Sequence, residues 1–487
     1  MKDEKDVEVD SLSENHENDL VLESNEQQEV NEVESDNEEK EELDNQPDDQ
    51  LNEQSNKEDT KESDENEVKE KLSPVKDSTK FNIMLAYSIF FMLTAFIFNS
   101  PSEIIEGLKN LTIAQSILVS DYMAIGNVGA ALFNCGLLML IATLIVKINK
   151  VEYNGPIIAA IFTIGGFALF GKNIYNIWAV LLGVLIYSKL KKETFSKFIV
   201  VALFGTALGP LISQITFGYD IPMVPAILVA NGAGVLVGFA LPALGAHFVK
   251  FHQGFNLYNI GFTAGMVGTL SMAILRAFGF NHDTLGIAAE GYNTVLTIYL
   301  SIIFVSMLII GLIFNNKSFK GYKALLGRSG RAVTDFVILD GFGLSFINMG
   351  ILGFITMIYI LLVGGELNGP IIGGIFTIIG FGAFGKHTKN ILPVLIGVFL
   401  ASKLFVWDTN AMGPLLAALF GTTLAPIAGE FGWKFGMLAG FMHMAMVMNV
   451  GYLHGGMNLY NNGFSGGMVA ALLIPVVEAF VRKEESL

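Results

Sequence analysis

From Phe81 onward, apolar runs of about 17–25 residues follow one another with short polar breaks, each long enough to cross a hydrocarbon core of about 30 Å as a helix. None of the runs carries a polar face, which suits lipid or a bundle interior better than a soluble surface. The pattern predicts fourteen spans, near 81–99, 128–147, 154–170, 174–190, 196–216, 221–245, 258–279, 295–315, 340–364, 368–384, 390–406, 411–428, 434–452 and 459–481. The expected fold class is therefore all-α integral membrane, with the lipid bilayer as its first partner.

Before Phe81 the pattern vanishes. Residues 1–80 hold 9 Lys and 30 Asp or Glu, a net −21, whereas the rest of the chain is net +5. A stretch such as VESDNEEKEELDNQPDDQ cannot bury enough apolar surface to offset its ordering entropy, so 1–75 reads as a disordered, acidic, cytoplasmic arm. The arm has neither the apolar core nor the basic start of a signal peptide. It serves as a spacer or as a docking segment for a protein partner; nothing in the charge pattern suggests nucleic acid. Cys135 is the single cysteine, so no disulfide forms within the chain.

The apolar body is written twice. Residues 154–172 read NGPIIAAIFTIGGFALFGK and residues 368–386 read NGPIIGGIFTIIGFGAFGK, identical at fourteen of nineteen positions. The same register of 214 pairs Asp121 with Asp335, Asn176 with Asn390, Gly183 with Gly397 and Lys189 with Lys403. Farther along, LFGTALGP (203–210) matches LFGTTLAP (419–426), and HQGFNLYNIGFTAGMV (252–267) matches HGGMNLYNNGFSGGMV (454–469). The organisation is an arm (1–75), a first membrane repeat (81–280), a connecting span and basic cytoplasmic loop (281–334, the span from about 295 opening the second repeat), the remainder of that repeat (335–481), and a cytoplasmic tail (482–487). With seven apolar segments per copy, the second copy enters the membrane from the opposite side, giving inverted-topology repeats. Parity survives if 154–170 and 174–190 form a re-entrant hairpin. With both termini cytoplasmic in a cell membrane, twenty Lys or Arg fall on inner loops, Lys386 among them, and only Lys109, Lys172, Arg276 and Lys403 on outer ones.

Three motifs carry candidate chemistry. Asn-Gly-Pro starts a helix: Asn154 and Asn368 serve as N-caps, and Pro156 and Pro370 lack an N–H to lose in the first turn. This is what a tight turn needs; it also aims two positive dipole ends inward, one per copy, where each can meet an anionic or carbonyl group. In the NLYN blocks, Asn256 and Asn259, like Asn458 and Asn461, stand three apart and are expected on one helix face beside Tyr258 and Tyr460. Their amides tie helices together or line a solute or ion site. His252 and His454 precede these blocks, and Glu430, opposite Gln214, is the most intramembrane carboxylate; these three are candidates for ion or proton coupling as well as structural donors. Nothing matches a P-loop, HExxH or GxSxG, so ATP-driven transport and enzyme chemistry are not expected, nor is a cofactor or metal.

The pairing of NGPII–FGK with H–G–NLYN–GF–GMV over about 81–487, behind an acidic arm, resembles a bacterial family of duplicated membrane proteins that carries an unknown-function label. In plan, with inverted halves and Asn/Gly-rich helix starts, the chain is also similar to the urea transporters, although their Leu-Pro, Thr and Pro-Phe signature is not present. The reading is a transporter or channel for a small polar solute at the midplane between the repeats, with room for a homo-oligomer. The alternative is a membrane scaffold or sensor whose arm recruits a partner.

Overall fold

The computed structural model describes residues 74–116, 118–281, 286–332 and 334–484. The acidic arm and the end of the tail lie outside these residues, except that the arm's last positions, 74 and 75, are described. Among the described residues the protein is all-helical, with ten helices long and apolar enough to cross a membrane. It is a polytopic membrane protein, with five such helices in each copy.

The first copy runs α1 (Asp77–Phe98), α2 (Pro101–Ile113), α3 (Tyr122–Ile125), α4 (Val128–Ile148), α5 (Gly155–Phe167), α6 (Trp178–Leu190), a broken span of α7 (Ile199–Gly205) and α8 (Gly209–Phe217), α9 (Met223–Phe248) and α10 (Asn259–Ala277). The second repeats the series as α11 (Asn293–Phe314), α12 (Tyr322–Leu325), α13 (Phe336–Leu339), α14 (Phe342–Leu362), α15 (Gly369–Phe381), α16 (Thr388–Leu404), α17 (Met412–Gly421), α18 (Ala425–Phe431), α19 (Trp433–Val450) and α20 (Asn461–Glu484).

All fourteen apolar segments are found where the hydropathy pattern puts them, but not all are spans. Helices α5 and α15 have 13 residues each, about 20 Å at 1.5 Å per residue, well short of a bilayer core. Each is followed by a sharp turn and a returning helix, so each copy holds one hairpin of short helices. The turns are made by Gly171 (φ +128°) and Gly385 (φ +95°), where a Cβ would come within 2.7 Å of Leu459 and 2.6 Å of the Gly330 carbonyl. An apolar sequence on every side of a helix demands burial on every side. All of α15, and all of α5 except Pro156, is buried.

These two short helices pack on each other in opposite directions. A Cβ on Gly166 would lie 2.7 Å from the Gly373 carbonyl, and one on Gly380 would lie 3.0 Å from the Ala159 carbonyl. Residue 166 is the repeat mate of 380, and 159 of 373, so swapping the copies maps one contact onto the other. Only a two-fold relation between antiparallel helices does this. Helices α1 and α11 show the same: Tyr87 bonds Ser306 at 2.8 Å, while seven residues on in one helix and seven back in the other Thr94 bonds Tyr299 at 2.7 Å. Helices α10 and α20 cross through their glycines, with Gly261 against Tyr460, Gly463 against Tyr258, Gly265 against Phe464 and Gly467 against Phe262.

One element escaped the hydropathy reading. Helix α2 is amphipathic and opens with a capping box in which Ser100 and Glu103 satisfy each other's backbone N–H.

Candidate functional site

The helix starts are satisfied across the two copies. Asn154 Oδ1 accepts from Ile157 N at 3.1 Å, and Asn368 Oδ1 from Ile371 N at 3.2 Å, the N-caps the sequence predicts. The positive end of each short helix then meets a carboxylate from the opposite copy. Asp335 accepts from Gly155 N at 3.0 and 3.1 Å, and Asp121 from Gly369 N at 3.2 Å. The two acids are therefore the anions at these dipole ends. They also cap their own short helices, through Met123 N at 2.9 Å and through Val337 N and Ile338 N at 2.9 and 3.1 Å.

The far ends of the hairpins carry a matched pair of lysines. Lys172 and Lys386, the last residues of the duplicated segment, are both fully buried, so neither lies in the outer or inner loop expected of it. Their backbone carbonyls are held by asparagines of α4 and α14, Asn134 Nδ2 donating to Lys172 O at 2.8 Å and Asn348 Nδ2 to Lys386 O at 2.7 Å. Their ammonium groups reach the breaks in the interrupted spans. Lys172 Nζ donates to Thr206 Oγ1, and Lys386 Nζ to Thr422 Oγ1, both at 2.7 Å. Each threonine hydroxyl donates in turn to a carbonyl one turn back, Leu203 O or Leu419 O, at 2.6 Å. Thus the LFGT–L–P motif breaks a helix with a 3₁₀ turn and presents a hydroxyl oxygen there. Among the described residues no carboxylate lies within ion-pair distance of either lysine.

Between the lysines stands an aromatic chain. Tyr460 packs on Phe167 with ring centroids 4.6 Å apart, Tyr258 on Phe381 at 4.8 Å, and the tyrosines on each other at 5.1 Å. Lys172 Nζ lies 5.1 Å from the Phe167 ring and Lys386 Nζ 4.4 Å from the Tyr258 ring. Phe204 and Phe420 close the sides by reciprocal contacts, Phe204 on Phe381 at 5.6 Å and Phe420 on Phe167 at 5.7 Å.

The asparagines frame this centre. Asn256 and Asn458 do not share a helix face with Asn259 and Asn461, as the spacing suggests. Both precede the helices, which begin at Asn259 and Asn461. Asn256 Oδ1 accepts from Tyr258 N and Thr423 Oγ1 while its Nδ2 donates to Gly463 O at 2.9 Å; Asn458 repeats the turn with Tyr460 N and donates to Gly261 O at 3.4 Å. Asn259 and Asn461 each bond a histidine, His252 Nε2 at 3.0 Å and His454 Nε2 at 2.8 Å. Glu430 is exposed near the end of α18. Two apolar grooves of about 590 and 550 Å³ open between α14 and α16 and between α4 and α6, and neither is lined by a motif asparagine.

The family model for DUF1576, described as a protein of unknown function, matches residues 100–277 and 314–479. The chain belongs to this family. Its matched segments divide between the two copies, as the internal duplication requires. Curated proteins and solved structures give no match, so the likeness to urea transporters has no support from them.

In this DUF1576 chain the lysines, like Asn256 and Asn458, are residues that sequence reasoning placed wrongly. A Lys at the end of an apolar run reads as a loop residue, Lys172 outside and Lys386 inside. The usable signal was that FGK closes the duplicated segment at the same point in both copies.

Proposed function

We propose that the two copies are inverted across the membrane and together form a transporter or channel for a small polar solute, with its site at the aromatic–lysine centre between them. The observation that carries this reading is the pair of fully buried lysine amino groups at the tips of opposed hairpins, joined only by hydroxyls and ring faces. Polar and ionisable groups at membrane depth are costly, and transporters place them where discontinuous helices meet between repeats. Antiparallel packing of α5 on α15 and an odd number of membrane-length helices per copy support the inversion. On this reading Tyr258 and Tyr460 form the barrier at the pseudo-two-fold axis. Asn256, Asn259, Asn458 and Asn461 line the site by holding those rings in place, and Asn154 and Asn368 start the hairpins that bring the lysines in. His252 and His454 stand behind the asparagines as candidate relays.

Uptake into proteoliposomes tests the reading, with a panel of urea, small amides, amino acids and simple ions. Flux of one class above protein-free vesicles is expected. The close hydrogen bonding of the asparagines favours a second reading, a scaffold with a packed centre. Folded, reconstituted protein that moves no member of the panel would establish that reading in place of the first.

A further inference from the structure

The two halves of the centre are built from the same parts but are not equally satisfied. Around Lys386 the parts close on one another: Nζ donates to Thr422 Oγ1 at 2.7 Å and to Tyr258 OH at 2.5 Å. Around Lys172 they do not. Its Nζ donates to Thr206 Oγ1, and Tyr460, the repeat mate of Tyr258, has a buried hydroxyl that makes no well-formed hydrogen bond and faces only the Thr163 hydroxyl. Tyr460 and Lys172 both pack on the Phe167 ring, and Leu459 N donates to Ala207 O at 3.3 Å, beside Thr206.

We propose, resting on the transporter reading above, that the solute is a small anion, held by the ammonium of Lys172 and the hydroxyl of Tyr460, with Lys386 and Tyr258 forming the equivalent site of the other copy. An ammonium group has three N–H donors. At Lys172 the threonine oxygen accepts from one of them, while the threonine's own proton is given to Leu203 O. The tyrosine hydroxyl likewise has a proton to give. In its protonated form Lys172 has spare donors buried among aromatic rings with no carboxylate within ion-pair distance among the described residues, and that form calls for a ligand that is an acceptor and carries negative charge. A neutral amide such as urea would satisfy one donor and leave the charge. The dipole ends are not available for this task, because Asp121 and Asp335 already cover them. The close aromatic shell limits the ligand to a few heavy atoms, in the range of a halide, nitrate or short carboxylate. In the contact chain Lys172–Phe167–Tyr460–Tyr258–Lys386 the two sites flank the tyrosine pair. An anion would pass from one to the other by exchanging hydroxyl partners, with the filled hydrogen bonds of the Lys386 half showing what each half looks like when closed.

The test uses the full chain in detergent. Thermal unfolding is followed while sodium gluconate is replaced, at constant ionic strength, by chloride, nitrate, formate or acetate. Saturable stabilisation by at least one of these is expected, with the apparent Kd raised at least tenfold in Lys172→Met and in Lys386→Met. Should the lysine variants fail to fold, Tyr460→Phe decides: its hydroxyl faces only the Thr163 hydroxyl and bonds neither lysine nor backbone, so the variant folds with stability in gluconate close to wild type and loses several-fold in anion affinity. No stabilisation of wild type by any small anion, or unchanged affinity in Tyr460→Phe and in folded lysine variants, overturns the proposal. Proteoliposome flux separates the two claims. Anion binding without anion flux leaves the site standing and removes the transporter. Flux of a neutral solute with no anion binding does the reverse.

Discussion

Removing the Asp121 carboxylate should loosen the contact between the copies by an amount that can be worked out bond by bond. Three backbone donors end on it: Met123 N and Gly369 N on Oδ1, at 2.9 and 3.2 Å, and Ala289 N on Oδ2 at 2.8 Å. Hydrogen bonds to a charged group contribute about 1.5–3 kcal/mol each, and losing an N-cap side chain typically costs about 0.5–2 kcal/mol. Asp121→Ala abolishes all three bonds, so a loss of at least about 3 kcal/mol is expected. Asp121→Asn is more discriminating. One amide oxygen can keep Met123 and Gly369, but the Ala289 N–H then faces an amide NH₂ and is left unsatisfied, at about 1–3 kcal/mol. At Asp335 all three donors, Gly155, Val337 and Ile338, reach Oδ1, so an asparagine there can hold every one. Asp335→Asn should therefore cost clearly less than Asp121→Asn. Unfolding in mixed micelles titrated with SDS measures both midpoints. Equal losses for the two asparagine variants, or none in Asp121→Ala, would refute the capping account.

Further expectations concern packing and the motif asparagines. Gly166→Val places a Cβ 2.7 Å from the Gly373 carbonyl oxygen, and prising α5 from α15 should cost about 1–3 kcal/mol, read as a lower unfolding midpoint. Asn256→Ala loses contacts to Gly463, Thr423 and Tyr258, whereas Asn458→Ala loses one good bond and one long one. With about 0.6 kcal/mol per interhelical hydrogen bond, the first should be the more destabilising in the same titration. Cys135 is fully buried in α4, so a maleimide should leave the native protein unmodified until it unfolds, checked by intact mass.

Much of this fold was legible in the sequence, because crossing a bilayer requires length and apolarity, which a chain cannot disguise. Spans such as α1, α4 and α9 fall within a few residues of where the pattern puts them. What length could not decide was whether 154–170 crosses or turns back. Seventeen apolar residues suit a short span, and only the packing of α5 against α15 shows 13 helical residues and a turn. The NLYN spacing misled for a related reason. Two asparagines three apart look helical, but Asn256 folds its oxygen back onto Tyr258 N and ends the extended approach before the helix begins. The lysines were visible as letters but not as a site, since their burial depends on hairpins that reach the centre from opposite ends and on hydroxyls some 35 residues away in the helix breaks. Glu430 was the opposite case, an acid near an apolar run that lies outside the core.

The account stands on the two copies facing opposite ways across the membrane and meeting at their centre. Lys192 and Val406 are repeat mates at the ends of the two hairpins, and both are exposed, Val406 to 91%. Single cysteines at these two positions, in intact cells and in inverted vesicles, should react with a membrane-impermeant maleimide from opposite faces, Lys192→Cys from the cytoplasm and Val406→Cys from outside. Labelling of both from the same face would contradict the inversion, and with it the shared centre on which the proposed function depends.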